Sequence, residues 1–229
     1  AYDVKSGKEK WRADGKFAPL SLATDAKRVY SHNGKCVVAL DYNTGKKIWN
    51  SPNIPIWARF YSNYGASLVV YDDVVIFSGG ENYSWIAPGS KGANDTMTAV
   101  SATTGKKLWS APHPSSGYRS PEDLMVAQEL VWAPDSRRSQ STLNGLDPRT
   151  GKVVRTVEMN LGHGFHHRCY PSRATEKYLL ASKVGINFVA FDGKSVVNDH
   201  WVRGACGFGI IAANGMIYAT PDPCNCFPE

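Results

Sequence analysis

The chain of 229 residues is 42% hydrophobic and 20% charged, with a net charge of +6, a balance that supplies a sizeable core and excludes wholesale disorder. No apolar run approaches the roughly 18 to 20 residues that would span a bilayer, so no transmembrane segment is predicted. The basic excess favours acidic partners weakly; no basic stripe or nucleic-acid motif accompanies it, so nucleic acid is not an expected partner.

Ala1 opens directly into "AYDVKSGKEKW", a polar, strand-like stretch that does not read as a signal peptide, so the expectation is a mature or truncated product. The same pattern returns as "ALDYNTGKKIW" from Ala39, "AVSATTGKKLW" from Ala99 and, with drift, "GLDPRTGKVVR" from Gly145. An eroded fifth copy, "AFDGKSVVNDHW", begins at Ala190. Gly7, Gly45, Gly105 and Gly151 recur at intervals of 38, 60 and 46 residues, a spacing that signals a solenoid or a propeller.

Within the second copy, "VVAL" at Val37 to Leu40 predicts a strand. "DYNTGK" turns the chain, with Asp41 accepting backbone amides and Gly45 free to adopt positive φ. "KIW" begins the return, and small Ala39 leaves room for Trp49 to pack across a neighbouring unit. The stretch "PIWARFYSNYG" (residues 55–65) lies in the longest interval, where an insertion predicts binding, with Trp57 and Tyr61 as stacking anchors beside Tyr64, Tyr83 and Trp85. Further strands are expected in "SLVVYDDVVIFSG" (67–79), "QELVWAP" (128–134) and "VVRTVEMN" (153–160). About four short strands per period is the composition of a propeller blade.

The last third concentrates chemistry. "LGHGFHHRCYPSR" (161–173) holds His163, His166, His167, Arg168, Cys169, Tyr170 and Arg173 within thirteen residues. It follows the predicted strand at 153–160, so it is expected in a loop leading to the next inner strand. Adjacent His166 and His167 in an extended segment would point to opposite faces. "DHWVRGACGFG" (199–209) adds His200, Trp201, Arg203 and Cys206, and "PDPCNC" adds Cys224 and Cys226. A C-x-C pair is poorly shaped for its own disulfide, but its thiolates suit a soft metal. Three readings stand for Cys169, Cys206, Cys224 and Cys226: zinc or copper ligands completed by a histidine, disulfides of an oxidising compartment, or free thiols. Cys36, alternating within a strand, reads as core.

The repeated A-x-D-x-x-[ST]-G-K-x-x-W signature resembles the tryptophan-docking repeat of PQQ-like, quinoprotein-type β-propellers, over nearly the whole chain. The later stretch from Phe165 to Cys226 is similar to a secreted bacterial subgroup of that family. The resemblance implies an all-β fold, with 1–229 forming a single PQQ-like propeller domain of four-stranded blades. Five signatures imply about five blades, a piece of a seven- or eight-bladed propeller whose remaining blades are partners. It also implies a secreted or periplasmic location. Family dehydrogenases use a vicinal disulfide, a catalytic aspartate and a calcium ion; the sequence has no adjacent cysteines, and "GANDTM" (92–97) is a poor calcium cluster, so it argues against PQQ.

Three functions fit these residues. The first is β-elimination on an acidic polysaccharide, with His166 or His167 as base, Arg168 or Arg203 stabilising the enolate and Tyr170 as acid; His163, Arg173, His200, Trp201, Trp57 and Tyr61 would bind the glycan or another small molecule. The second is a non-catalytic propeller that binds protein or glycan. The third, which the departures above disfavour, is quinone-dependent dehydrogenation.

Overall fold

The computed structural model describes residues 1–54, 56, 65–79, 96–113, 123–134, 142–159, 161, 170–182, 185–199 and 201–221. Every described element is a strand or a turn. The strands form successive sheets in chain order. The first sheet holds β1 (Ala23–Thr24), β2 (Arg28–His32), β3 (Val37–Asp41) and β4 (Lys47–Asn50). The second holds β5 (Ser67–Tyr71), β6 (Val74–Ser78), β7 (Thr96–Ser101) and β8 (Lys107–Pro112). The third comprises β9 (Met125–Ala127), β10 (Leu130–Pro134), β11 (Thr142–Leu146) and β12 (Val153–Glu158). The fourth comprises β13 (Arg173–Ala174), β14 (Tyr178–Ala181), β15 (Ile186–Ala190) and β16 (Val196–Asp199). A ribbon of β17 (Ile210–Ala213) and β18 (Met216–Ala219) follows. These are the four-stranded blades of a propeller, with two strands of a fifth described. The chain falls into two compact units, residues 1–57 with 66–111, and 58–65 with 112–229.

The pattern within a blade follows from burial. Central strands β6 ("VVIFS") and β10 ("LVWAP") are buried at every position, as strands covered on both faces must be. In β4 ("KIWN") only Trp49 is buried, and the flanking lysine and asparagine keep this outer edge polar, which discourages further pairing. Each central strand places a larger side chain directly opposite the small residue that opens a repeat. The pairs are Tyr30 with Ala39, Ile76 with Ala99, Trp132 with Gly145 and Tyr178 with Ala190. The third case needs glycine: a Cβ on Gly145 would lie 2.9 Å from the Trp132 ring.

Sheets stack through these faces. In the first unit, Tyr30, Val37, Ala39 and Trp49 of the first sheet meet Leu68, Val75, Phe77 and Val100 of the second, and β1 lies beside β5. In the second unit, Leu130, Trp132 and Val157 meet Leu179, Val189 and Phe191. Leu180 and Ile186 then meet Ile210 of the ribbon, and β13 lies beside both β9 and β17. First strands therefore neighbour first strands, as around a propeller axis.

The repeated tryptophan is the joint between blades. Trp11 Nε1 donates to Tyr42 O at 2.9 Å, and Trp49 Nε1 donates to Ala102 O at 3.0 Å. Each ring lies flat against the glycine three residues beyond its acceptor. A Cβ on Gly45 would sit 2.4 Å from Trp11, and one on Gly105 2.6 Å from Trp49. Both glycines have φ near +70° (69° and 70°), a conformation that also disfavours a side chain. Trp49 therefore packs across the neighbouring unit of the repeat, as the sequence suggested.

The turn aspartates behave as the motif predicts. Asp41 Oδ1 accepts from the amides of Asn43 and Thr44 and from the Thr44 hydroxyl. Asp147 accepts in the same way from Arg149 and Thr150. The third copy has Ser101 in that place. Its missing carboxylate is supplied by Asp73 from the β5–β6 turn, which accepts from the Ser101 hydroxyl at 3.1 Å and the Thr103 hydroxyl at 2.6 Å.

The fourth copy replaces tryptophan with Arg155. Its Nη1 donates to Phe191 O at 3.4 Å, while Gly193 (φ 72°) has nothing within 4 Å of a would-be Cβ. Phe191 itself stacks on Trp132, centroids 4.7 Å apart. This joint is held from inside the sheet pair rather than by an indole lid.

Candidate functional site

Three segments of the second unit lead into first strands of successive sheets. Asp123 precedes β9, Tyr170 to Ser172 precede β13, and Gly204 to Gly209 precede β17. They are tied to one another. Asp123 is buried, and its Oδ1 accepts from Ser172 N at 2.6 Å. His113 Nε2 donates to Asp123 O at 2.8 Å. Tyr170, 1% exposed, packs its ring under Gly209, where a Cβ would come within 3.0 Å of the ring.

The "RGACGFG" turn folds this tightly because of its glycines. Gly209 N donates to Ala205 O at 2.9 Å. A Cβ on Gly204 would sit 2.3 Å from the Gly209 backbone. Glycine at these positions lets the chain double back against the Tyr170 ring.

Of the residues singled out in the sequence, the structure brings Tyr170 against the turn that carries Cys206, with Arg203 at its entrance. The Tyr170 hydroxyl donates to Gly185 O at 3.4 Å, and Ser182 Oγ donates to Tyr170 O at 3.1 Å. Buried this way, Tyr170 holds two segments together, and its proton is committed within the fold. Arg173 is half-buried, its Nη1 donating to Ser172 O at 3.4 Å. Arg203 is half-buried. Trp201 is 89% exposed, its amide donating to Asp199 Oδ1 at 2.9 Å; Phe208 nearby in sequence is 76% exposed.

Cys206 is disulfide-bonded, so of its three readings the bridge applies, and its sulfur is neither a free thiol nor a thiolate ligand. Cys36 is a buried free thiol, as expected of a core residue, but it lies in the β2–β3 turn just before β3 rather than within a strand, its amide donating to Asn33 Oδ1. Among the described residues no group of three metal-binding side chains gathers. His163, His166, His167, Arg168, Cys169, His200, Cys224, Cys226, Trp57, Tyr61, Tyr64, Tyr83 and Trp85 lie outside the described residues.

Asp123 and His113 were not singled out from the sequence. The signal available was weak: a carboxylate just before the short apolar run "LMVA", where an acceptor is needed for the amides of an incoming loop.

The residues 1–201 match the profile of the family described as outer membrane protein assembly factor BamB, PQQ_2, and the chain belongs to that family of PQQ-like propellers. It is 33% identical over 153 residues to the quinohemoprotein alcohol dehydrogenase ADH IIB of Pseudomonas putida, covering 59% of this chain and 20% of that protein. It is 26% identical over 201 residues to the 1-butanol dehydrogenase (cytochrome c) of Thauera butanivorans, covering 78% of this chain and 28% of that one. Among solved structures it is similar to BamB from Moraxella catarrhalis, with TM-score 0.59, 15% identity and coverage of 94% of this chain and 62% of that chain. It is also similar to the quinohemoprotein alcohol dehydrogenase from Comamonas testosteroni, with TM-score 0.54, 17% identity and coverage of 86% and 39%. These structural likenesses establish the propeller fold. The matched stretch spans only 20% to 28% of the curated relatives. No helix among the described residues is long and apolar enough to cross a membrane.

No two cysteines of this chain are adjacent in the sequence, so this stretch carries no disulfide between neighbouring cysteines. Cys206 is bridged, but its neighbours are Ala205 and Gly207, so no disulfide between adjacent cysteines forms there. Cys224 and Cys226 are separated by Asn225.

Proposed function

We propose that this chain is part of an exported PQQ-like propeller that binds an anionic ligand, an acidic glycan foremost, at the end of the second unit where first strands begin. The observation that carries the reading is the pairing of segments just described. Tyr170 lies under Gly209, and Ser172 is bound by Asp123. The histidine-rich stretch 163–168 joins directly to the first of these segments, and His200 and Arg203 to the second. Arg168, Arg173 and Arg203 supply cation charge suited to carboxylates or sulfates. The Cys206 disulfide supports an oxidising compartment, periplasmic or extracellular.

Binding without turnover is the form of this function that the described geometry supports best. Two groups that could do chemistry, the Tyr170 hydroxyl and the Cys206 sulfur, are already used in holding segments together. Elimination on a polyuronate is the second reading, carried by the density of imidazole and guanidinium in 163–173.

The test is titration calorimetry with polygalacturonate and with neutral dextran, on wild type and on the Arg168→Ala/Arg173→Ala/Arg203→Ala variant. Polygalacturonate should bind in a salt-sensitive manner, and the variant should weaken it by about tenfold or more, the scale of one or two charge-assisted hydrogen bonds. Equal affinity of variant and wild type, or equal binding of dextran, would remove the proposal. Growth of unsaturated uronate absorbance on incubation, abolished in His166→Ala/His167→Ala, would promote elimination over simple binding.

A further inference from the structure

Two reactive side chains are buried at one turn of the first unit, away from the site in the second. His32, 0% exposed, ends β2, and Cys36, 9% exposed, stands just before β3. The turn between them is tied within itself. Asn33 N donates to Cys36 O at 3.0 Å. Asn33 Oδ1 accepts from the amides of Lys35 and Cys36, each at 3.0 Å, and from Cys36 Sγ at 3.7 Å.

The His32 ring fastens this turn to its surroundings. Nδ1 accepts from Gly34 N at 3.1 Å, and Nε2 donates to Ile54 O at 3.0 Å. An amide nitrogen only donates and a carbonyl only accepts, so the neutral ring carries its proton on Nε2. The ring stacks on Phe77 of the second sheet, with centroids 4.2 Å apart and planes inclined by 17°. The His32 backbone holds the segment before β1, donating to Ser21 Oγ at 3.1 Å and accepting from Ala18 N at 2.7 Å. Ile54 N donates to Lys35 O at 2.9 Å, so the turn and the residues after β4 close on each other beside the imidazole.

This arrangement has a place for one ring proton. An imidazolium carries N–H on both nitrogens, and an Nδ1–H would point at the Gly34 N–H. The groups facing the ring from other elements are uncharged: the Ser21 hydroxyl before β1, the Ile54 carbonyl after β4 and the Phe77 ring of β6. In its own turn the ionisable residues are Cys36, bonded to Asn33, and Lys35, whose side chain is exposed. No charged side chain among the described residues contributes to the ring's proton affinity. Burial therefore holds it below the ordinary histidine value, outweighing the bond to Ile54, which acts the other way.

We propose that His32 is an acid-operated latch over Cys36. With the ring neutral, the turn 33–36, Ile54 and Phe77 are fastened together and the thiol is hidden. With the ring protonated, the bond from Gly34 N is lost, the turn parts from Ile54, and the thiol meets solvent. The sign follows from the direction of the shift. The latch is complete above about pH 6.5 and is lost as pH falls through the lowered value.

The test measures labelling of Cys36 by a dipyridyl disulfide, whose pyridinethione leaving group keeps it reactive in acid, with the site mapped by mass spectrometry. Each rate is divided by that of the denatured protein at the same pH. At about pH 7.5 the ratio should be about one tenth or less, and it should rise about tenfold or more by about pH 4.5. His32→Gln, whose amide nitrogen can still donate to Ile54 O, should give a ratio that does not change with pH. The same acid rise in this variant, or no rise in the wild type, would overturn the latch. Nitrogen NMR of the wild-type ring needs no variant. It should show the Nε2–H form at neutral pH and proton uptake below about pH 6.5; an Nδ1–H form, or uptake at the ordinary value, would equally overturn it.

Discussion

Tyr30 shows how much one side chain does at a blade joint. Its ring lies in the core between the first and second sheets, 5.8 Å from Trp49. Its hydroxyl donates to Asp25 Oδ2 at 2.6 Å, and Arg28 reaches the same carboxylate at 3.2 Å. Burial pushes the phenol up to about 12, with the bond to Asp25 adding to the shift. Burial alone would also raise Asp25, but the Tyr30 hydroxyl and the amides of Lys27 and Arg28 more than offset it and hold the carboxyl below its ordinary value. The sign is then fixed. The raised phenol contributes stability that is complete below pH 10 and is lost as pH rises through about 12. Alkaline unfolding of the wild type should show a loss of about 2 to 3 kcal/mol across that window. Tyr30→Phe should be less stable at neutral pH, by about 1 to 2 kcal/mol for the lost bond to a carboxylate, yet should lose much less on alkalinisation. Parallel losses in both proteins would show that Tyr30 is not the titrating group.

At the scale of the element, equal backbone conformations carry unequal penalties. Gly7 and Gly105 share φ near +70° (67° and 70°), but a Cβ on Gly7 meets nothing within 4 Å while one on Gly105 meets the Trp49 ring. Gly7→Ala should cost about 1 kcal/mol, the strain of the left-handed turn alone. Gly105→Ala should cost about 3 kcal/mol or more, because the indole must lift from its seat. Chemical denaturation of the two variants measures the difference, and equal costs would contradict the docking geometry.

This joint was legible in the sequence, because one spacing of aspartate, glycine and tryptophan repeats with a fixed purpose. The substitution of Asp73 for the missing aspartate of the third copy was not. It comes from a strand turn 28 residues earlier than Ser101, and proximity across strands leaves no mark on spacing. The bond from Ser172 to Asp123 was hidden for the same reason, its partners lying 49 positions apart. Residue type revealed a dense cluster at 163–173, but it could not distinguish Tyr170, which proves to be a buried post, from side chains available to a ligand.

At the scale of the molecule, repeat, sheets and relatives agree on one fold and one family. The Cys206 bridge bears on how that fold is held at its last strands. It anchors the turn over Tyr170 and thereby the entry to the final ribbon. Reductant should lower the melting temperature of the wild type, with a stability loss of about 2 to 4 kcal/mol. Cys206→Ser should start from that lower value and respond little further. A melting temperature indifferent to reductant would show that the bridge has no part in holding the last strands.

The joint at Arg155 has a consequence for how such a protein could be rearranged. Where tryptophan meets glycine, the first sheet offers the next one the same key that the hairpin at Trp11 offers to the first, so these modules could be duplicated or exchanged with their contacts intact. The third sheet ends in a guanidinium that grips Phe191 O, and its successor presents Phe191 to Trp132 instead of a covered glycine. A chimera cut between those two sheets would pair a lock with the wrong key. Recombination should therefore be tolerated at the indole joints and penalised at this one, so that the edges of the last modules would fix their order.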